Sequence, residues 1–256
     1  MKKCAFFLVM TAGVGLALAG PTGPAYQVNT GGAYYLPSGA PQHGNEAGGA
    51  FSFTALGAGW EQVGRSETQT YHDVPGFQTF CVETTQNINL NTTYYSTIDD
   101  AIYYDGGQAK QIADFQNIRE VYATYFRAGG GNAGMDAIAG AGASYFGSLN
   151  RYDQNWVLQS YIWQELGYGD YWGIGSRTLG GHNVAQIWDQ LDLVTSQYAS
   201  NVRVLNIWAD NNPEHWTHTP GYDLQSQLIY VVPVPAAAVL GVIGFGLVGW
   251  LKRRLA

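Results

Sequence analysis

The chain has 256 residues, 46% of them hydrophobic, which is enough apolar material to build a packed core. Aromatic residues make up 14% and charged residues only 12%, about half the usual globular share of charge, a composition typical of an exported, β-rich protein. All 19 acidic residues lie between Glu46 and Asp223, where few basic residues stand, and a surface of that sign excludes nucleic acid as a partner.

The first 19 residues have the pattern of a secretory signal peptide. Lys2 and Lys3 form a basic start, Ala5–Leu18 is an apolar run, and Ala17–Ala19 has the small-x-small form of a cleavage site. The alternative, a retained membrane anchor, needs a longer apolar span. We therefore predict that residues 1–19 are removed on export.

The mature chain is predicted to begin with an irregular N-terminal arm, 20–49, because Gly, Pro and Asn are frequent there without a sustained period. From residue 50 apolar and polar residues alternate. This alternation predicts half-buried antiparallel strands near 51–55, 60–63 and 77–82.

The middle of the chain changes to a helical period. Apolar residues recur every three or four positions, which predicts helices within 98–126, near 153–166 with Asp153 as the N-cap, and near 183–198. The Gly-rich segment 129–147 between the first two is predicted to be a flexible connection.

Two final strands are predicted over 202–208 and 225–232. The fold class that follows is α+β, with antiparallel β strands and a central helical insertion in one domain over 50–232.

The end of the chain has the pattern of a membrane-sorting tail over 233–256. A Val-Pro motif precedes an apolar stretch that a basic triplet closes, and the residues concerned are Val232, Pro233, Val234, Pro235, Ala236, Lys252, Arg253 and Arg254. This pattern predicts a C-terminal transmembrane helix with the body outside and the basic end in the cytoplasm.

The tail resembles the PEP-CTERM sorting signals of Gram-negative bacteria, in the variant whose consensus is Val-Pro-Leu-Pro-Ala. Val234 departs from it, since Glu or Leu usually stands there. The resemblance implies a sorting enzyme of the exosortase type as a partner. It also implies a transient anchor in the inner membrane, followed by delivery to the cell surface or extracellular matrix.

Cys81 is the only cysteine that remains after signal cleavage, because Cys4 lies in the signal peptide. A disulfide within the chain is therefore excluded, although disulfides are the usual role of cysteine in exported proteins. Three interpretations stay open: a buried apolar filler, a bond between chains, or a bond to another group of the same fold.

Gln159 is the candidate partner for the third interpretation. On the predicted helix it shares one face with Trp156 and Trp163, so its amide is expected to be buried and to need a partner. Gln154 and Gln164 are expected at the surface instead.

The segments around both residues are similar to the thioester domains of bacterial surface adhesins. Phe80-Cys81-Val82-Glu83 and Gln159-x-x-Ile162-Trp163 carry the resemblance, and Tyr161 departs from it because Ala is usual at that position. The resemblance implies a thioester with its sulfur from Cys81 and its acyl carbon from Gln159, and no cofactor. Trp156, Ile162 and Trp163 would support this bond by excluding water.

Other functional patterns are weaker. His215 and His218 have no cysteine nearby to complete a zinc site, and Glu83 with Asp170 is a pair of carboxylates of the kind glycosidases use. The sequence therefore predicts a binding protein that captures amines or hydroxyls covalently, not an enzyme. A non-reactive matrix or exopolysaccharide-associated protein with a free, buried Cys81 is the alternative, and a carbohydrate-active enzyme is the third.

Overall fold

The computed structural model describes residues 26–33, 50–56, 77–84, 88–89, 92–102, 110–170, 173–210, 212 and 223–232. Within them the fold is a mixture of antiparallel sheet and helices, as the sequence predicts. The helices lie between the early and late strands of the chain.

The strands of the described residues are, in chain order, β1 (Tyr26–Ala33), β2 (Ala50–Leu56), β3 (Phe77–Phe80), β4 (Thr93–Asp99), β5 (Ala101–Ile102), β6 (Lys110–Gln111), β7 (Thr178–Leu179), β8 (His182–Asn183), β9 (Val202–Trp208) and β10 (Asp223–Tyr230). Six of them form the main antiparallel sheet in the order β10-β9-β4-β1-β2-β3. The predicted strand 202–208 is confirmed, and the last strand begins two residues earlier than predicted.

The prediction of an irregular arm over 20–49 is wrong for residues 26–33, which form β1. This strand lies inside the sheet, paired with β4 on one side and β2 on the other. Two neighbouring strands satisfy its backbone groups, and this pairing outweighs a composition that is unfavourable for a strand. Residues 26–33 therefore belong to the same sheet as the strands that follow residue 50.

The two edge strands of the sheet meet just beyond the end of β3. Cys81 forms an isolated antiparallel bridge with Gln227 of β10, and the N–H of Val82 donates to the carbonyl of Ser226 at 3.0 Å. The Thr79 hydroxyl donates to the carbonyl of Leu228 at 2.6 Å. The sheet therefore curls until these contacts join its two edges.

The helices are α1 (Gln116–Arg127), α2 (Gly131–Gly140), α3 (Ser144–Gly147), α4 (Arg151–Trp163) and α5 (Val184–Leu191). Asn150, not the predicted Asp153, caps α4, because its side chain accepts the N–H groups of Tyr152 and Asp153. Asn183 begins α5 with a capping box that Gln186 completes. Helix α5 ends seven residues before the predicted end.

Two predictions for the middle of the chain are wrong. The predicted helix within 98–126 is too long at its start: it is α-helical from Gln116, with a 3-10 turn over Ile112–Asp114 before it, since β4 continues to Asp99 and a short hairpin follows. The predicted flexible connection 129–147 forms α2 and α3. A Cβ at Gly134 would lie 2.4 Å from the ring of Tyr125, so glycine there allows two helices to approach closely.

The core lies between the sheet and the helices. Phe80 packs edge-on against Tyr125 of α1 at 5.3 Å between ring centroids, and Phe126 stacks on Tyr230 of β10 at 5.1 Å. These aromatic contacts fix helix α1 over the seam where β3 meets β10.

Candidate functional site

Cys81 lies at the seam of the sheet and is completely buried. It pairs with Gln227 without hydrogen bonds between their own backbones, because the flanking bond joins Val82 to Ser226. Paired residues of this kind have side chains close together on one face of the sheet. The N–H and C=O of Cys81 therefore point away from β10, and another group must satisfy them.

The side chain of Gln159 satisfies both of these backbone groups. The N–H of Cys81 donates to Oε1 of Gln159 at 2.9 Å, and Nε2 of Gln159 donates to the carbonyl of Cys81 at 2.7 Å. Both residues are fully buried. Since the carboxamide carbon is bonded to Oε1 and to Nε2, it lies beside the residue that carries the sulfur.

Helix α4 brings Gln159 to this position. The side chains from Trp156 to Trp163 are all buried, and so is Gln154, so the helix is enclosed on almost every side. The prediction that Gln154 lies at the surface is wrong, because its amide donates to the carbonyl of Phe146 at 2.9 Å. Gln159 is buried as predicted. The cause is that α4 is enclosed on almost every side, and not that the helix has one apolar face.

The predicted supporting residues Trp156, Ile162 and Trp163 are all buried on α4. The guanidinium of Arg177 lies 4.9 Å from the centre of the Trp156 ring. Tyr161, where the adhesin pattern has Ala, is also buried, and its hydroxyl donates to Asp192 at 2.7 Å. The larger side chain thus links α4 to the end of α5 by a hydrogen bond, and Gln159 still contacts Cys81.

The sulfur itself contacts a different glutamine. Nε2 of Gln227 donates to Sγ of Cys81 at 3.3 Å, and Gln227 is completely buried. Gln227 was not among the residues that the sequence predicted for the site. A weak signal was available, since Gln225-Ser226-Gln227 is a polar run directly before the apolar residues Leu228 and Ile229.

A buried polar network continues from the site along β10. Ser226 donates its N–H to Oε2 of Glu83 at 2.5 Å and its hydroxyl to Asn206 at 2.8 Å. Asn206 donates to Asp99 and to the carbonyl of Ala101. Glu83, Ser226 and Asn206 are all fully buried, so this network holds the seam beside Cys81 in one arrangement.

The thiol of Cys81 is hard to ionise in this environment. Burial raises its pKa well above the ordinary value, the hydrogen bond from Gln227 lowers it, and the negative charge of Glu83 raises it further. Because burial is the largest of these effects, the group is a neutral thiol near neutral pH.

The remaining predicted residues are placed as follows. Val232 is 43% exposed. Outside the described residues lie residues 1–19, His215, His218 and the rest of the predicted sorting signal, which is Pro233, Val234, Pro235, Ala236, Lys252, Arg253 and Arg254. Asp170 accepts the N–H of Gly175, and Glu83 accepts that of Ser226.

Two features are absent from the described residues. None of their helices has both the length and the apolar content to cross a membrane. The same part of the chain contains no group of three side chains suited to holding a metal ion.

Comparison with protein-family models, with curated proteins and with solved structures finds no match for this chain.

Proposed function

We propose that this is an exported surface or matrix protein that captures a partner once, through a thioester between Cys81 and Gln227. The observation that carries the proposal is the contact of 3.3 Å between Nε2 of Gln227 and Sγ of Cys81. It keeps the carboxamide of Gln227 against the nucleophile, and such positioning lowers the entropic part of the barrier. The amide of Gln159, which the sequence predicts as the acyl group, is instead hydrogen-bonded through both of its polar atoms to the Cys81 backbone.

The contact at the sulfur suits the chemistry of thioester formation. The sulfur attacks the carboxamide carbon of Gln227, negative charge develops on its Oε1, and the Thr79 hydroxyl at 3.3 Å from that oxygen is placed to stabilise it. The carbon–nitrogen bond then breaks, and ammonia leaves with the proton of the thiol. An incoming amine later forms an amide with the carbon, and its proton goes to the released sulfur.

The burial of the site fits a bond that must survive in water. Cys81, Gln159 and Gln227 have no exposed surface, so hydrolysis is slow unless the site opens. The bond is consumed when it reacts, and the protein is therefore proposed to bind rather than to catalyse turnover.

Export and sorting form the second part of the proposal. The signal peptide and the PEP-CTERM-like tail would carry the domain through an inner-membrane intermediate to an exosortase-type enzyme, and then to the cell surface or matrix. The support is the sequence pattern of both ends. Recovery of matrix-bound protein that still carries the Val-Pro-Val-Pro tail would contradict this part.

Intact mass of the purified exported domain tests the thioester. Wild type is expected about 17 Da lighter than its sequence, while Cys81→Ala and Gln227→Ala have full mass. Methylamine should add to wild type alone. Gln154→Ala is the matched control, because this glutamine is also buried but bonds to Phe146, and it should keep the mass loss. A full wild-type mass would exclude the thioester.

A second candidate function is a non-reactive matrix protein with a free Cys81. One observation favours it: the amide of Gln159 already satisfies the buried N–H and C=O of Cys81, which is a sufficient structural role. In that case wild type has full mass and Cys81→Ala behaves like wild type in every binding assay.

A further inference from the structure

The hydroxyl of Thr79 lies between two acceptors at the seam. It is 2.6 Å from the carbonyl oxygen of Leu228 and 3.3 Å from Oε1 of Gln227. A hydroxyl has one proton to donate, and the longer of these distances exceeds that of an ordinary O–H···O hydrogen bond. In the resting protein the proton of Thr79 is therefore directed at Leu228, and its contact with Gln227 is weak.

The carbonyl of Leu228 has a second donor. The hydroxyl of Tyr122, on helix α1, donates to the same oxygen at 2.9 Å. A carbonyl oxygen has two lone pairs, so both hydroxyls can donate to Leu228 at once. If Thr79 turns its proton elsewhere, Leu228 keeps the hydrogen bond from Tyr122, and this buried carbonyl is not left without a donor.

The core encloses all four of these residues. Thr79, Gln227 and Leu228 have no exposed surface, and Tyr122 is almost completely buried as well. A hydrogen bond to a charged oxygen is stronger in such surroundings than in water. The direction of the Thr79 proton is therefore governed by the charge on the two oxygens beside it.

We propose that Thr79 is a donor that switches, bonding to Leu228 at rest and to Oε1 of Gln227 in the transition state. Tyr122 is the positioning residue that makes the switch possible, because it satisfies Leu228 while Thr79 is turned away. This inference rests on the proposed thioester and adds to it a residue, Tyr122, that touches none of the reacting atoms.

The switch serves both steps of the chemistry. When the Cys81 sulfur attacks Gln227, and again when an amine attacks the thioester, negative charge develops on the carbonyl oxygen of residue 227 and draws the Thr79 proton away from Leu228. In the second step the amine nitrogen bonds to the carbon, the carbon–sulfur bond breaks, and the amine proton goes to the sulfur. Thr79 keeps its own proton throughout, so no further reactant is needed.

The rate at which methylamine consumes the thioester, followed by intact mass, tests both roles. Thr79→Val has nearly the same shape without the hydroxyl and should react about tenfold to a hundredfold more slowly than wild type. Thr79→Ser keeps the donor and should react within about twofold of the wild-type rate. Tyr122→Phe should be about threefold to tenfold slower, because Leu228 then competes for the Thr79 proton.

The effects of the two substitutions should not add. In Thr79→Val the donor is already gone, so adding Tyr122→Phe should not slow the reaction further. Tyr125→Phe is the matched control, because Tyr125 is buried on the same helix but its hydroxyl accepts the N–H of Gly131. It should react no more slowly than wild type. A merely structural role for Tyr122 predicts the opposite sign, since a loosened core admits methylamine and speeds the reaction.

Each result decides one claim. Thr79→Val at the wild-type rate would overturn the role of Thr79, and Tyr122→Phe at that rate, or additive slowing in the double variant, would overturn the role of Tyr122. The thioester stands in these cases, because wild type has lost ammonia. If Thr79→Val has full mass while Thr79→Ser is lighter, the donor is needed already for thioester formation, whereas full mass in both would contradict the donor role. A wild type of full mass would overturn the thioester and this inference with it.

Discussion

Gln159 and Cys81 are joined like residues of neighbouring strands, although Gln159 lies on a helix. Its side-chain amide accepts the N–H of Cys81 at 2.9 Å and donates to the C=O of Cys81 at 2.7 Å. A helix side chain thus completes the backbone pairing of a strand edge. This relationship gives Gln159 a structural role that can be measured separately from any chemistry at the sulfur.

The structural role of Gln159 is best measured in a Cys81→Ala background, which cannot form a thioester but keeps the backbone of residue 81. There, Gln159→Leu should lower the free energy of unfolding by about 2–4 kcal/mol, because two buried backbone groups lose their partners. Urea denaturation gives the value. Gln159→Glu keeps the oxygen that accepts the Cys81 N–H but loses the donor to the Cys81 carbonyl. If Gln159→Leu costs no more free energy of unfolding than a substitution of an exposed residue, the pairing is contradicted.

Tyr122 is expected to make the protein sensitive to alkali. Burial raises the pKa of its hydroxyl well above 10.0, with a smaller contribution from Tyr125. Because the folded pKa is raised, the unfolded chain loses the proton first, and the stability from this group is present below about pH 10 and lost above it. Urea midpoints at pH 8 and pH 11 should differ less in Tyr122→Phe than in wild type.

Asn206 is expected to tolerate no negative charge. In Asn206→Asp the new carboxylate would face Asp99 and the carbonyl of Ala101, both of which now accept hydrogen bonds from Asn206. We expect the free energy of unfolding to fall by about 2–4 kcal/mol at pH 7. The loss becomes smaller at lower pH, because the pKa of the new carboxyl group is raised and the group takes up a proton.

Asn201 provides the matched control for that change. Its amide donates to the hydroxyl of Tyr230 at 2.9 Å, and a hydroxyl can turn to donate to a carboxylate instead. Asn201→Asp should therefore cost much less than Asn206→Asp in the same urea titration. Equal losses of stability in the two variants would show that the network from Asn206 to Glu83 is no more sensitive to a negative charge than the site of Asn201.

Gly134 should be intolerant of even one added methyl group. A Cβ there would lie 2.4 Å from the ring and 2.7 Å from the carbonyl oxygen of Tyr125. Gly134→Ala is thus expected to destabilise the fold by about 1–3 kcal/mol. Gly140→Ala, on the same helix with nothing within 4 Å, should stabilise it by about 0.5–1 kcal/mol. Thermal unfolding of both variants makes the comparison.

Local patterns predicted those elements that have an apolar run or a regular apolar period. Strand β9 has the predicted bounds and is buried along almost its whole length, and the apolar period near 184–191 gives α5. Local patterns fail for Gly-rich segments, because glycine can make a segment flexible or can let two helices pack closely. In 129–147 it permits close packing of helices, as at Gly134, rather than flexibility.

The candidate site was predictable only in part for a related reason. Gln159 could be singled out by its neighbours on a helix, and Cys81 as the only cysteine after Cys4. Thr79, Ser226 and Gln227 give no comparable signal, because a polar residue in a strand is equally consistent with an exposed face.

By itself, the sequence determined that this chain has the pattern of an export signal, a mixture of helices and antiparallel strands, a single cysteine after Cys4, and a glutamine between two tryptophans on a predicted helix. The tertiary structure alone decided that the strand edges meet at Cys81, that the Gln159 amide pairs with the backbone there, and that Gln227 reaches the sulfur. The physical reason is distance along the chain. Periodicity reports which face of an element is buried, whereas pairing between strands 146 residues apart depends on how the whole sheet curls.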